Sequence, residues 1–393
     1  SPALFVRQVR QELQKVTWPT RRDTFISSLI VIVLIFLSIN QVVLLQRRQS
    51  IWEVCMTNQL VDEWIDVCSQ RNELMFLSNE RNSWSYTDLG ECLKNFQIHL
   101  NDKPPSTVII RSDYSLESVA WLILGLAYDW SLVPIVTDNK DIIEIRKRIA
   151  GANYIVSSDT DWKPDRIHPE QSLSSSDAND RGVILFSSGS TGEPKAMCQD
   201  LSSMLYDISS VKTKPICMGL LLLFDHIGGL NTLFSGLRKS LHLVAPSNRN
   251  PRLMAELIEK YSVRVLPCSP TFLNMMDLDG IFNDFSMKSL RLITYGTERM
   301  PEQLLNRLST KLPRVKFLQT FGTSETGIVQ TKSLSSSSTF LTIDDPKVEW
   351  KIENNELWIK SSSQISGYIN TTEKAIDDGW FKTGDLVESK NDN

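Results

Sequence analysis

Residues 186–195 read Phe-Ser-Ser-Gly-Ser-Thr-Gly-Glu-Pro-Lys and follow the apolar run Gly182-Val183-Ile184-Leu185, which has the character of a buried strand. Seven of the ten are Ser, Thr, Gly or Lys. A loop of that composition offers backbone N–H groups, hydroxyls and one ammonium, the donors that hold a polyphosphate. Gly189 and Gly192 permit a sharp turn and close backbone approach, Pro194 stiffens the exit, and Lys195 adds a point charge. The spacing is not Gly-x4-Gly-Lys-Ser/Thr, so this is a different kind of phosphate loop. A solvent-exposed Ser/Gly turn has the same composition, and the weight therefore falls on what accompanies it.

Four further strings follow in order: Phe224-Asp225-His226-Ile227-Gly228-Gly229, Tyr295-Gly296-Thr297-Glu298, Phe321-Gly322-Thr323-Ser324-Glu325 and Phe381-Lys382-Thr383-Gly384-Asp385. With the loop they resemble the motif series of the adenylate-forming superfamily, which includes acyl-CoA synthetases, firefly luciferase and the adenylation domains of peptide synthetases. The general resemblance runs from residue 56 to residue 393. It implies a body that binds ATP with Mg²⁺ and a carboxylic acid, with CoA or a carrier protein as acceptor in the full-length family. By position, Ser187, Ser188, Gly189, Ser190, Thr191, Gly192 and Lys195 would take the β- and γ-phosphates, and Thr323 and Ser324 the α-phosphate side. Gly296, Thr297, Glu298, Phe321 and Gly322 would pack on adenine, and Asp385 would accept from the ribose hydroxyls. Glu325 matches the family's Mg²⁺-binding glutamate. Phe224, His226 and Gly228 would line the acid pocket. Ser324 stands for the usual Thr and keeps a hydroxyl, while Phe321 stands for Tyr and keeps a ring to stack.

Among four histidines, His226 alone falls in a motif; the resemblance implies that it gates the acid pocket as a neutral ring, not as a base. Phe272, Met275, Met276 and Leu230 suit an apolar acid pocket, which mildly favours a fatty or aryl acid, but a plain core is the preferred reading of them. The resemblance also implies a hinge and a small C-terminal domain carrying the lysine of adenylation. The sequence stops at Asn393, so that cap is expected to be absent and no catalytic residue is assigned.

These motifs need elements to place them. Strand patterns at 107–111, 132–136, 154–157, 264–267 and 316–319 alternate with helix patterns at 116–128, 142–150, 254–261 and 301–308. That order predicts an α/β fold with mostly parallel sheets, in which ligand loops leave the C-terminal ends of strands. Segments 172–180 and 333–339 read as polar linkers. Segments 348–352 and 356–360 alternate like a hairpin around Asn354-Asn355. The resemblance implies two stacked sheets with helices over 56–339 and the start of a small β-barrel subdomain over 340–393.

The first 48 residues have another character. Phe5, Val9, Leu13 and Val16 mark one face of a helix that also carries Arg7, Arg10 and Lys15. Trp18-Pro19 ends it. Residues 26–45 carry no charge and, as a helix, measure about 30 Å, enough to span a bilayer. The string Glu12-Leu13-Gln14-Lys15-Val16-Thr17-Trp18-Pro19-Thr20-Arg21 resembles the SecE subunit of the bacterial and plastid protein translocase. That implies an amphipathic helix, one transmembrane helix, an inner-membrane location and a SecY-type channel as partner for residues 1–45. Residues 49–55 form a junction.

Composition divides at the same place. Net charge is −4; residues 1–55 carry seven Lys/Arg and three Asp/Glu, a surplus of +4, which leaves −8 for the remainder. The basic part is the membrane-facing part, and nothing points to nucleic acid. Six cysteines without a Cys-x-x-Cys pair argue against zinc and disulfide frameworks. Five basic residues before the span and two after it place the N-terminus in the cytoplasm. The ATP-using body would then lie outside. Three arrangements reconcile the halves: the span inverts or does not insert, so that the body is cytoplasmic; the body is an inert passenger; or two neighbouring genes have been joined. The third is favoured, because the stretch from Met56 reads like a natural start.

Overall fold

The computed structural model describes residues 59–101, 103–167, 181–187, 193–206, 216–333, 335, 338–371 and 374–388. The chain divides into two units, Ser1–Gln59 and Leu60–Asn393. The expected amphipathic helix, the span over 26–45, the linker 172–180 and loop residues 188–192 lie outside the described residues. Among the described residues no helix is long and apolar enough to cross a membrane.

Apolar sequence sets the centre of the second unit. The helix Leu116–Ala127 is buried on nearly every face, and Ser115 and Ser118 close a reciprocal capping box at its start. Beside it, Thr107–Arg111 and Ser131–Ile135 pair in parallel, the geometry that a crossover helix requires. They lie within a six-stranded sheet of order Asp165–Arg166, Tyr154–Val156, Thr107–Arg111, Ser131–Ile135, Val183–Ser187, Lys195–Gln199. Its interior pairs are parallel and its two outer pairs antiparallel.

A seven-stranded sheet runs in the order Lys316–Gln319, Leu292–Tyr295, Val265–Cys268, Cys217–Gly219, His242–Val244, Met75–Ser78, Ser83–Ser85. Only its last pair is antiparallel. Val108 and Ile110 of the first sheet share one apolar core with Phe76, Leu77 and Leu243 of the second. The helices Tyr86–Gln97, Leu116–Ala127 and Ile227–Arg238 contribute to the same core. The expected α/β class with two mostly parallel sheets is therefore present.

Helix starts differ from the periodic pattern by a few residues, for a local reason. The segment expected at 142–150 begins at Lys140, because the Asn139 side chain accepts from the N–H groups of Asp141 and Ile142. The segment expected at 254–261 begins at Pro251 behind the cap Asn250. Caps extend a helix beyond its apolar face.

The last part folds as expected at its hairpin. Val348–Glu353 and Glu356–Ser361 pair around Asn354 and Asn355, both at positive φ (53° and 63°), as a two-residue turn of this hand demands. Trp380–Leu386 and Ile376–Asp377 complete a four-stranded antiparallel sheet. In the stretch read as the start of a small β-barrel subdomain, the described strands form this sheet. The segment 333–339 is not wholly linker: Ser333 ends a strand, Thr331–Ser333, that pairs with Leu341–Ile343.

Candidate functional site

The motif strings leave strand ends and converge. Leu292–Tyr295 delivers Gly296-Thr297-Glu298, and Lys316–Gln319 delivers Phe321–Thr323 and Ser324. Trp380–Leu386 carries Asp385. All of these residues line one cavity of about 1450 Å³, together with His226, Gly228 and Gly229 at the start of the helix Ile227–Arg238. Gly296, Thr297, Glu298, Phe321, Gly322, Thr323, Ser324, Asp385, His226 and Gly228 are thus brought together from four separate stretches of chain.

Local geometry fits these placements. Gly384 sits at φ 75°, and its N–H donates to Glu356 Oε1 at 2.9 Å, which turns the strand just before Asp385. The Asp385 N–H donates to Thr383 Oγ1. Burial and the neighbouring Glu356 push the Asp385 carboxyl above the ordinary range, against a hydrogen bond from Thr383. Thr297 is held at φ 70°, in the left-handed region that a β-branched residue avoids, on the cavity wall.

The Glu298 carboxylate is already engaged by a neighbouring helix. It accepts from the Thr271 N–H at 3.0 Å and from Thr271 Oγ1 at 2.7 Å, at the N-terminus of the helix Pro270–Leu278. Burial acts to raise its pKa, but hydrogen bonds from Thr271 and Ser269 prevail and hold it low. Glu298 therefore lines the cavity while its charge anchors a helix.

One expectation for the acid-side wall is corrected and another divides. Phe224 is fully buried and packs edge-on against Tyr114 in the core, so it is not a lining residue. Burying an aromatic ring there removes more apolar area from water than facing the cavity would. Of the four apolar candidates, Phe272 and Met275 line the cavity, whereas Leu230 and Met276 are fully buried core.

A set of contacts, most of them from residues outside the motif strings, fixes this wall. Arg249 forms a double hydrogen bond to Asp113, one arm to Asp113 Oδ1 at 3.0 Å, and its Nε donates to the Leu221 carbonyl at 3.2 Å. Tyr114 Oη donates to the Leu222 carbonyl at 2.9 Å. A Cβ at Gly229 would stand 1.9 Å from the Leu223 carbonyl oxygen, so only glycine lets the helix start this close to the loop. Arg146 Nη1 reaches Asp225 Oδ2 at 2.8 Å, and its guanidinium carbon lies 5.1 Å above the Phe186 ring. Arg146 thus joins the acid-side string to the base of the Ser/Gly-rich loop. The one signal in the sequence was Asp225 itself, a carboxylate in an apolar run, which needs a cation once buried.

At the Ser/Gly-rich string, Ser187 and Lys195 pair across an antiparallel hairpin. They and Glu325 are not among the cavity's lining residues. Lys195 Nζ lies 5.2 Å from the centre of the Tyr368 ring, and Tyr368 Oη donates to Glu325 Oε1 at 3.1 Å. Gln199 Nε2 donates to the Ser324 carbonyl at 2.6 Å, tying the hairpin to the Phe321–Ser324 turn.

The family model for AMP-binding enzyme matches residues 131–369, more than half of the chain. The chain belongs to the AMP-binding enzyme family. A second model, for SecE/Sec61-gamma subunits of the protein translocation complex, matches residues 3–39. Among curated relatives, 4-coumarate-CoA ligase 1 of Narcissus pseudonarcissus is 25% identical over 64% of this chain and 54% of its own. Acyl-CoA synthetase 7 of Caenorhabditis elegans is 25% identical over 53% and 44%. The chain spans about half the length of the curated relatives it matches. Among solved structures, the Klebsiella oxytoca NpsA N-terminal subdomain in complex with anthranilyl-AMSN superposes with a TM-score of 0.66 at 18% identity, covering 85% of this chain and 97% of that one. The o-succinylbenzoate CoA synthetase of Bacillus subtilis, in complex with the acyl-adenylate OSB-AMP, gives 0.64 at 19%, covering 82% and 75%. These likenesses establish that the AMP-binding body has the adenylate-forming N-terminal fold.

Proposed function

We propose that the body from Leu60 onward binds ATP and a carboxylic acid and joins them as an acyl-adenylate, releasing pyrophosphate. The observation that carries this reading is the single cavity on which Gly296–Glu298, Phe321–Ser324 and Asp385 meet the His226–Gly228 wall. An acid oxygen attacks the α-phosphorus and a new P–O bond forms. The bond from that phosphorus to the bridging oxygen breaks, and its electron pair leaves with pyrophosphate. The acid is already ionised at neutral pH, so no base is required and His226 has no proton to take. Both reactants are anions, and the site must bring positive charge and N–H donors to the place where they meet.

In this reading Phe321 stacks on adenine and Asp385 accepts from the ribose hydroxyls. Thr323 and Ser324 meet the α-phosphate, while Ser187, residues 188–192 and Lys195 hold the terminal phosphates. Glu325 would hold Mg²⁺. The donor set fits that ion, which takes one or two carboxylates plus phosphate oxygens. When bound, the ion would neutralise phosphate charge. The apolar side chains of Leu223, Phe272 and Met275 support an apolar or aryl acid. The names of the curated relatives support CoA as the acceptor, with a carrier protein as the other class. The test is calorimetric titration with AMP together with ATP–pyrophosphate exchange in the presence of 4-coumarate. Asp385→Ala and Lys195→Ala are expected to weaken AMP and ATP binding respectively. Unchanged affinity for both nucleotides in both variants sinks the assignment.

The match at residues 3–39 supports a second reading for the head: residues 1–45 seat the chain in the inner membrane beside a SecY-type channel. With the body cytoplasmic, the two readings are compatible. Co-purification of the full chain with SecY-containing membranes, abolished by Trp18→Ala with Pro19→Ala, is the expected result. Equal recovery of wild type and variant removes the reading.

A further inference from the structure

The segment 361–370 lies in none of the motif strings, yet it ties two of them together. Asn370 Nδ2 donates to the Pro194 carbonyl at 3.0 Å, and its Oδ1 accepts from the Ala196 N–H at 2.9 Å. The Ile369 N–H donates to the Ala196 carbonyl at 2.8 Å. A few residues earlier, the Ile365 N–H donates to the Glu325 carbonyl at 2.9 Å, and Ser363 Oγ donates to the Thr326 carbonyl at 3.0 Å. One end of the segment therefore grips the exit of the Ser/Gly-rich hairpin, and the other grips the turn that carries Glu325. Tyr368 stands between them, bridged to Met197, with its hydroxyl on Glu325 and its ring under Lys195.

We propose that Tyr368 is a positioning residue for the metal–triphosphate end of the nucleotide. Its hydroxyl fixes the Glu325 carboxylate, and its ring seats the Lys195 ammonium. A carboxylate that ligates a metal does so in a direction set by the hydrogen bond on its other oxygen. Fixing Oε1 through Tyr368 therefore aims Oε2. A lysine on a flexible stem loses less freedom on meeting phosphate when a ring face already holds it. One side chain thus presets the two charged groups assigned to opposite needs: the anion for the metal and the cation for the phosphates. This inference rests on the ligase reading above and adds to it a residue that touches neither reactant.

The experiment uses the full chain and two probes, AMP without metal and ATP across a Mg²⁺ titration, each followed by calorimetry. Tyr368→Phe keeps the ring and removes the hydroxyl. It is expected to raise the Mg²⁺ concentration for half-maximal ATP binding about tenfold, the lower end of what one hydrogen bond to a carboxylate is worth. AMP affinity should stay within about twofold, because AMP does not reach this end of the site. Tyr368→Leu also removes the seat of Lys195 and should weaken metal-free ATP binding a further ~2–5-fold. A Tyr368→Phe chain with an unchanged Mg²⁺ dependence overturns the proposal. So does one in which AMP and ATP weaken together, the mark of a merely structural role. Wild type that binds AMP but shows no Mg²⁺ dependence for ATP overturns it while sparing the nucleotide reading. Wild type that binds neither nucleotide overturns both.

Discussion

Replacing Arg146 by Met removes a guanidinium and keeps a stem of similar length over the Phe186 ring. The partner, Asp225, has a side chain only 7% exposed, against 17% for Arg146. Its Oδ2 depends on Arg146, and its Oδ1 has no hydrogen-bond partner; His226 Nε2 lies 3.8 Å from it. Breaking a buried ion pair from one side costs about 3–5 kcal/mol, because the other charge stays behind. Water reaches Arg146 to some extent, so the lower end, ~3 kcal/mol, applies. With an unfolding entropy of ~2.1 cal/mol/K per residue over roughly 330 residues, the shift amounts to ~4 °C in Tm. Differential scanning calorimetry on Arg146→Met measures it directly. Adding Asp225→Asn to that chain removes the stranded charge and should recover at least half of the loss, whereas two independent effects would sum. Melting of Arg146→Met within about 1 °C of wild type, or an Asp225→Asn addition that lowers Tm further, refutes the reasoning.

Three other outcomes follow from the cavity wall. Burial and Glu356 hold the Asp385 carboxyl above the ordinary range; the folded chain therefore gains stability from this group at low pH and loses it as pH rises from the unfolded carboxylate range through the folded value. On the proposed reading the Asp385 carboxylate accepts from the ribose, so AMP should bind more weakly as pH falls through that raised value. Glu356→Gln keeps the acceptor for the Gly384 N–H and should move the acid limb of AMP binding to lower pH; an unmoved limb assigns it to another group. Thr297→Gly relieves about 1–3 kcal/mol of left-handed strain against about 1 kcal/mol of added chain entropy. A Tm equal to or above wild type with AMP binding retained is expected, and a marked loss of Tm would mean that the threonine hydroxyl matters more than its backbone. Gly229→Ala forces a Cβ against the Leu223 carbonyl and Tyr114 Oη, an overpacking cost of about 1–3 kcal/mol. Its Tm should drop while AMP affinity holds, since the acid-side wall moves and the adenosine side does not.

Much of the fold could be read along the chain because its signals are local. The apolar run at 116–128, the alternation at 348–360 and the Asn354-Asn355 turn each act within a few residues, and the structure places them within one or two positions of the pattern. Helix starts at Lys140 and Pro251 were missed because periodicity sees the buried face, whereas a cap spends a polar side chain on the first turn. The antiparallel hairpin joining Val183–Ser187 to Lys195–Gln199 carries no period of its own. A parallel reading and a hairpin reading place the same alternation on the strand, and only the partner strand decides between them.

The site divides along the same line. Residues that would meet the reactants sit in short strings, because phosphate, ribose and adenine are recognised by turns at strand ends, and a turn is a local object. The residues that hold those turns in place do not form strings. Arg146 and Asp225 are 79 positions apart, Asp113 and Arg249 136, Pro194 and Asn370 176. Asp225 and Pro194 stand in strings, but the partner that holds each is an ordinary residue far along the chain, and no composition or spacing rule distinguishes Tyr368 from the other tyrosines. Phe224 shows the converse error. It stands in the right string, but the apolar run that helps identify the string also pulls the ring into the core beside Tyr114, leaving His226 and Gly228 to face the cavity. Motif membership therefore predicts that a turn is near the chemistry, while burial and pairing decide which of its side chains take part.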